Sequence, residues 1–127
     1  MRNVPAEISA VLADYDAGRT PERTSEKAAV KAALAALVEI APGRSVEVRV
    51  PPHAAVQAIE GTSHRRGNPS AVVETNARTW LELVVGRRTW ADAVGSGAVH
   101  ASGERSDLGR LLPIWSATEI VVERTIE

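Results

Sequence analysis

The sequence lacks the residues that several kinds of functional site require. It contains no Cys and no Phe, one Tyr and three Trp. Without Cys, the chain cannot form disulfides, thiolate metal sites or a cysteine nucleophile, and this composition fits a reducing compartment. Because aromatic rings are so few, Ala, Val and Leu must supply most of any core.

A strong net charge and long apolar runs are also missing. The formal net charge is -1 over 127 residues, so no overall field favours binding to nucleic acid. Charged residues interrupt each apolar stretch well before the ~20 residues that a membrane span needs. The first residues contain no apolar core typical of a secretory signal. We therefore expect a cytoplasmic protein that does not span a membrane, with one domain over residues 1–127.

The first 43 residues predict a pair of helices. In the first helix, which Asn3 can cap, apolar residues recur at three- and four-residue spacing: Ile8, Val11, Leu12 and Tyr15. The second helix should run from about Glu26 to Ala41, capped by Thr24 or Ser25, and Pro42 and Gly43 end it. Its Val and Leu residues form one stripe, which predicts that it covers a sheet.

From residue 44 the pattern changes to that of a sheet, and residues 44–127 should form the sheet and its covering helices. Val46, Val48 and Val50 alternate with charged residues, as in a half-buried strand. Residues 54–58 predict a second strand or, because they are rich in Ala, a short helix. Further strands are expected at Val72 and Val73 and at residues 98–101. In the tail, residues 120–122 suggest a fifth strand or, equally, an arm that pairs elsewhere.

Three more helices are expected between and after these strands. One carries Trp80 and is capped by Thr75 or Asn76, and a shorter one carries Trp90 and is capped by Thr89. A last helix should start at residue 106 or 107 and carry three leucines: Leu108, Leu111 and Leu112. Because helices and strands do not alternate strictly, the order favours an α+β fold with a largely antiparallel sheet.

The sequence shows little catalytic or metal-binding apparatus. His53, His64 and His100 have no histidine partner at helical spacing, so we expect neither a metal nor a cofactor. Glu74 lies at a strand end and could act as an acid or base with His53 or His100. The simpler interpretation is that Glu74 contacts the start of the next helix or pairs with Arg78.

Two arginine pairs and two tryptophans permit a binding role. Arg65 with Arg66, and Arg87 with Arg88, could hold the phosphate or carboxylate headgroup of a ligand, or they could be solvated or paired with nearby glutamates. Trp80 and Trp90 are large enough to line a cavity or simply to fill the core. From the residues alone, these alternatives stay open.

Several stretches together resemble a known family. They are PPHAAVQAIEG, the loop with His64, Arg65, Arg66 and Gly67, and then VVETNARTWLEL, TWADAVGSG and ASGERSDLGRLLP. In this order they resemble the bacterial branch of the sterol carrier protein 2-like family, from about Val46 to Ile114.

The resemblance implies a fold and a function. It implies a five-stranded sheet covered by helices around an apolar cavity. It also implies non-catalytic binding of lipid, sterol or fatty acyl ligands, as a carrier or sensor. The residues expected to line the cavity are Trp80, Leu83, Val84, Trp90, Val94, Leu108, Leu111 and Leu112. The alternative is a protein-interaction or homodimerisation module with a filled core and no ligand.

Overall fold

Eight helices and strands follow one another in the computed structural model, which describes residues 3–61, 69–103 and 105–115. In chain order they are α1 (Ala6–Asp16), α2 (Arg23–Ile40), β1 (Val46–Val50), β2 (Ala54–Ala58), β3 (Ala71–Thr75), α3 (Ala77–Val84), α4 (Trp90–Gly95) and β4 (Val99–Gly103). The α+β class expected from the sequence is therefore confirmed.

The four strands form one mixed sheet in the order β2-β1-β3-β4. The β1–β2 and β3–β4 pairs are antiparallel, whereas β1 and β3 are parallel. Residues 54–58 form a strand and not the short helix that was its alternative, because they pair with β1 over their whole length. The fifth strand expected at residues 120–122 lies outside the described residues.

Helices α1, α2 and α3 pack together on one face of the sheet, where α2 contacts β2. Val46, Val48 and Val50 of β1 point towards them and are fully buried, as are Val30, Leu34 and Leu37 of α2. Glu47 and Arg49 alternate with these valines and lie on the opposite face. The apolar residues of α2 recur with the helical period of 3.6 residues and those of β1 with the strand period of 2 residues, and both sets are buried in this core.

Local sequence fixes where the later helices begin. The side chain of Asn76 accepts a hydrogen bond from the backbone N–H of Thr79, and that of Thr89 accepts one from Asp92. Each cap satisfies an N–H that has no partner within its helix. The caps predicted near α1 and α2 are wrong in detail, since Pro5 and Glu22 occupy these positions and neither makes a side-chain cap.

The helix predicted to carry Leu108, Leu111 and Leu112 is absent, because residues 105–115 form turns. The carboxylate of Asp107 accepts a hydrogen bond from the N–H of Gly109, which offers the backbone an alternative to a helical turn. Gly109, which has a low helix propensity, and Pro113, which lacks a backbone N–H, disfavour a helix here further. Of the described helices, none is long and apolar enough to cross a bilayer.

Candidate functional site

Packing divides the eight residues expected to line an apolar cavity into two groups. Trp80, Leu83, Val84 and Leu108 are at most 1% exposed and belong to the core. Trp90, Leu111 and Leu112 are only partly buried, and Val94 is 41% exposed. The second group is accessible from solvent, whereas the first group is not.

Two indole groups are buried without a hydrogen-bond acceptor among the described residues. They are the Nε1 atoms of Trp80 in α3 and of Trp115. The backbone N–H of Trp115 donates to the carbonyl of Val84, so this residue is held against the end of α3. A buried donor without a partner costs about 1–3 kcal/mol of stability, so each of these two N–H groups lacks the stabilisation that an acceptor would give.

Val94 lines an open groove beside the edge strand β4. The groove has a volume of about 540 Å³, and its other lining residues are Val72, Glu74, Gly97, Val99, His100, Ala101 and Ser102. Val99, the first residue of β4, is buried, and the other four residues of this strand are exposed. We call this feature the β4 groove. It offers apolar surface that water can reach, with polar groups at its rim.

A second pocket lies between the start of α2, the β1–β2 turn and the start of α3, and it was not predicted. It has a volume of about 480 Å³, and we call it the α2–α3 pocket. Its lining residues are Glu26, Pro51, Pro52, His53, Asn76, Ala77, Arg78, Thr79, Glu82 and Arg88. Its walls carry far more hydrogen-bonding groups than the core does.

A chain of hydrogen bonds joins Tyr15, Glu26 and His53 at this pocket. The hydroxyl of Tyr15 donates to Oε2 of Glu26 at 2.6 Å, and Oε1 of Glu26 lies 2.8 Å from Nε2 of His53. The His53 side chain is only 4% exposed. Both carboxylate oxygens of Glu26 are therefore engaged, which ties α1, α2 and the β1–β2 turn together.

The pKa of the Tyr15 hydroxyl is strongly shifted from its ordinary value. Burial, and next the hydrogen bond to Glu26 and the negative charge of that residue, raise the pKa of Tyr15 well above its usual range. The phenol stays neutral and acts as a donor. The guanidinium of Arg78 lies 5.2 Å from the ring centroid, close enough for a cation–π contact.

This shift predicts the titration of the only tyrosine in the chain. Because folding favours the neutral phenol, its stabilising contribution is complete below the ordinary pKa of about 10 and is lost as the pH rises above it. We expect no tyrosinate absorbance near that pH while the protein stays folded. Glu26→Gln should bring the pKa partly back, since burial remains but the charge is gone. A midpoint near the ordinary value in the folded parent protein would contradict the assignment.

The two members of the predicted pair Arg87 and Arg88 make different contacts. The guanidinium Nη1 of Arg87 lies 2.9 Å from both carboxylate oxygens of Asp16, so it joins α1 to the end of α3. Arg88 instead lines the α2–α3 pocket, 3.8 Å from a carboxylate oxygen of Glu82. Arg65 and Arg66, like His64, lie outside the described residues.

Glu74 does not pair with Arg78. Its carboxylate is 4.0 Å from Arg49, and Glu74 faces His100 across the β3–β4 ladder. Glu74 and His100 share an open pocket of about 280 Å³, whereas His53 bonds Glu26 elsewhere. Within residues 3–61, 69–103 and 105–115, no three His, Cys, Asp or Glu side chains are placed to hold a metal ion.

The polar network was missed because its members are far apart in sequence. Glu26 and His53 are separated by 27 positions, and no short motif joins them. The backbone N–H of His53 bonds the carbonyl of Val50 in the turn. One available signal was Tyr15 itself, since the hydroxyl of a tyrosine on a buried helix face usually finds a partner.

Comparison with known proteins gives one result. A family model described as bacterial SCP ortholog matches residues 22–114. The match begins just before α2 and ends one residue before the end of the 105–115 turns, so it includes β1 to β4 and both pockets. A search of curated proteins found no match.

Proposed function

This chain belongs to the sterol carrier protein family, in its bacterial branch, and from that premise we propose that it binds a lipid, sterol or fatty acyl ligand without catalysis. Membership of the family is the single observation that carries the proposal. The family is in general a carrier family. The proposed role is that of a carrier or a sensor, in which the ligand is bound but not chemically changed.

The accessible apolar residues support one place for the ligand. Trp90 and Val94 lie on α4, and Leu111 and Leu112 lie in the turn segment that follows β4. The indole of Trp90 reaches Gly109 in that segment, since a Cβ placed on Gly109 would be 3.3 Å from its Cδ1 atom. We therefore place the acyl chain along α4 and the β4 groove, against these four residues.

Burial of hydrocarbon supplies the affinity in this proposal. Each buried CH₂ contributes about 0.8 kcal/mol before ordering costs are subtracted, so several must leave water for measurable binding. The proposal therefore includes an apolar cavity that extends inwards from Trp90 and Val94 of α4 towards Leu108 and Trp80. The fifth strand expected at residues 120–122 also stays a prediction.

Val94→Glu tests the placement. A charge at this position would have to be buried against hydrocarbon, so we expect affinity for a fluorescent acyl chain to fall at least about tenfold. Stability should stay within about 0.5 kcal/mol, because the site is exposed. Quenching of Trp fluorescence by the ligand provides the binding measurement.

Ile40→Glu is the matched control for this experiment. Ile40 is 40% exposed against 41% for Val94, and it lies at the end of α2. We expect it to leave acyl binding unchanged. Equal loss in both variants, or no saturable binding by the parent protein, would count against the proposal.

One observation favours a second function as an interaction module. In the described part of the chain, β4 pairs with β3 on one side only, and its residues are largely exposed. An edge strand of this kind can pair with another chain. A homodimer mass in solution, combined with no acyl binding, would favour this alternative over the carrier role.

A further inference from the structure

The α2–α3 pocket has more hydrogen-bond donors than acceptors to match them. Both oxygens of Glu26 are engaged, by Tyr15 and His53. Oε2 of Glu82 accepts from Nε of Arg78 at 3.2 Å, and Oε1 of Glu82 lies 3.8 Å from Arg88. The two carboxylates of the pocket are thus committed to groups of the protein itself.

Arg88 makes only long contacts with the described residues, including the 3.8 Å contact with Glu82. Its Nη1 is 3.4 Å from Oγ1 of Thr79 and its Nη2 is 3.4 Å from Oγ of Ser96. Both distances exceed the usual range for such bonds, and both acceptors are neutral hydroxyls. A guanidinium presents five N–H groups in a planar fork that suits two oxygens of one anion.

Other donors line the same pocket. Arg78 commits only its Nε atom to a described hydrogen bond, and its guanidinium also lies 5.2 Å from the ring centroid of Tyr15. Ala77 and Arg78 are the first two residues of α3, so their backbone N–H groups have no partner within the helix. The formal charges of two arginines and two glutamates cancel, so short-range hydrogen bonds, and not a net field, would hold a ligand.

We propose that the α2–α3 pocket binds a small oxyanion, a carboxylate or phosphate, with Arg88 as its main contact and Arg78 and the start of α3 as supporting donors. The acyl-binding proposal does not carry this inference, since the pocket is defined by different residues. The oxyanion could be a free metabolite or the headgroup of an acyl ligand, and the two sources share the same recognition chemistry.

The first arm of the test uses the full chain and inorganic phosphate or acetate. In two-dimensional NMR we expect saturable shifts at the Ala77, Arg78 and Thr79 amides and at the Arg88 guanidinium. Arg88→Gln should weaken binding at least about tenfold, because it removes a charge-assisted hydrogen bond to the anion. Arg87→Gln is the matched control and should bind as the parent does, since Arg87 is committed to Asp16.

The second arm separates the two sources. Decanoate and decanol have the same chain length but only decanoate carries an oxyanion. Shifts at the same amides with decanoate, but not with decanol, identify a headgroup site, and shifts with phosphate or acetate alone identify a free anion site. Either result supports the oxyanion chemistry.

Three outcomes would overturn the proposal. They are no saturable shift with any of the anions, equal weakening by Arg87→Gln and Arg88→Gln, and shifts of the same non-zero size with decanoate and decanol. If Arg88→Gln does not fold, Arg78→Gln replaces it, because that side chain is 59% exposed and tolerates truncation. If oxyanion binding fails while acyl binding is intact, only this inference is wrong. If acyl binding fails while the oxyanion binds, only the proposed function is wrong.

Discussion

Trp80→Ala is expected to lower the free energy of unfolding by about 3–5 kcal/mol, which is the usual cost of deleting a fully buried large aromatic side chain. Trp80 is 0% exposed and is the largest fully buried side chain of the described core. Its neighbours on α3, Leu81 and Val84, are equally buried, so the space left by the indole cannot be filled from solvent. Urea denaturation followed by circular dichroism measures the change.

Trp80→Phe separates the two properties of this indole. Phe keeps most of the ring volume but removes the Nε1–H, which has no acceptor among the described residues. Removal of an unsatisfied donor returns part of its desolvation cost, so we expect Phe to be far less destabilising than Ala. A loss of less than about 1 kcal/mol in Trp80→Ala would contradict the packed core and indicate a hollow beside α3.

The same pair of variants bears on the proposed cavity. If an acyl ligand reaches Trp80, it should restore part of the stability lost in Trp80→Ala, because a bound ligand stabilises the folded state by mass action. If the cavity stops short at Val94 and Trp90, the ligand should stabilise the parent and Trp80→Ala to the same extent. Denaturation with and without decanoate gives the answer.

Gly43→Ala is expected to destabilise the protein by about 3 kcal/mol or more, because its backbone is too close to another segment for a side chain. A Cβ on Gly43 would lie 2.1 Å from the carbonyl carbon and oxygen of Ile59 and 2.4 Å from the nitrogen of Glu60. Its φ of +152° adds strain for any residue with a side chain.

The contact at Gly43 holds the end of α2 against the end of β2. The N–H of Ile59 donates to the carbonyl of Ala41 at 2.7 Å, and the carbonyl of Ile59 accepts from both the N–H and the hydroxyl of Ser45. A displaced Ile59 would break all three hydrogen bonds. The loss should therefore exceed that of a simple backbone strain.

Gly18→Ala provides the control for Gly43→Ala. Gly18 also has a positive φ, +72°, but a Cβ there would meet nothing within 4 Å. We expect a cost of about 1–2 kcal/mol from the left-handed conformation alone. Equal stabilities of the two variants would show that the close approach to Ile59 is not what makes Gly43 necessary.

The elements that the sequence predicted best are those whose signals are local. The Asn76 cap, the alternating valines of β1 and the Val and Leu stripe of α2 each depend on residues a few positions apart. One wrong prediction, the helix expected to carry Leu108, Leu111 and Leu112, also has a local cause. The leucine spacing suits a helix, but the side chain of Asp107 competes for the backbone N–H of Gly109.

The candidate sites were less accessible to sequence reasoning. The sequence named eight apolar residues by type, but only packing showed that Leu108 is covered while Val94 remains exposed. It proposed equal roles for Arg87 and Arg88, yet Arg87 bonds a carboxylate 71 positions away and Arg88 lines a pocket. Adjacent residues received opposite roles because their side chains leave the backbone in different directions.

The sequence by itself determined the α+β class and the residues that can form an apolar core, because periodicity, capping and composition act over short stretches of chain. The family came from the resemblance of its motifs, which the family model confirms. Tertiary structure alone decided which apolar residues stay exposed and which polar groups meet. Tyr15, Glu26 and His53 come from α1, α2 and the β1–β2 turn, and they form one hydrogen-bonded chain only because the folded helices pack against the sheet. Such contacts depend on the relative placement of distant elements, and no short sequence pattern encodes that placement.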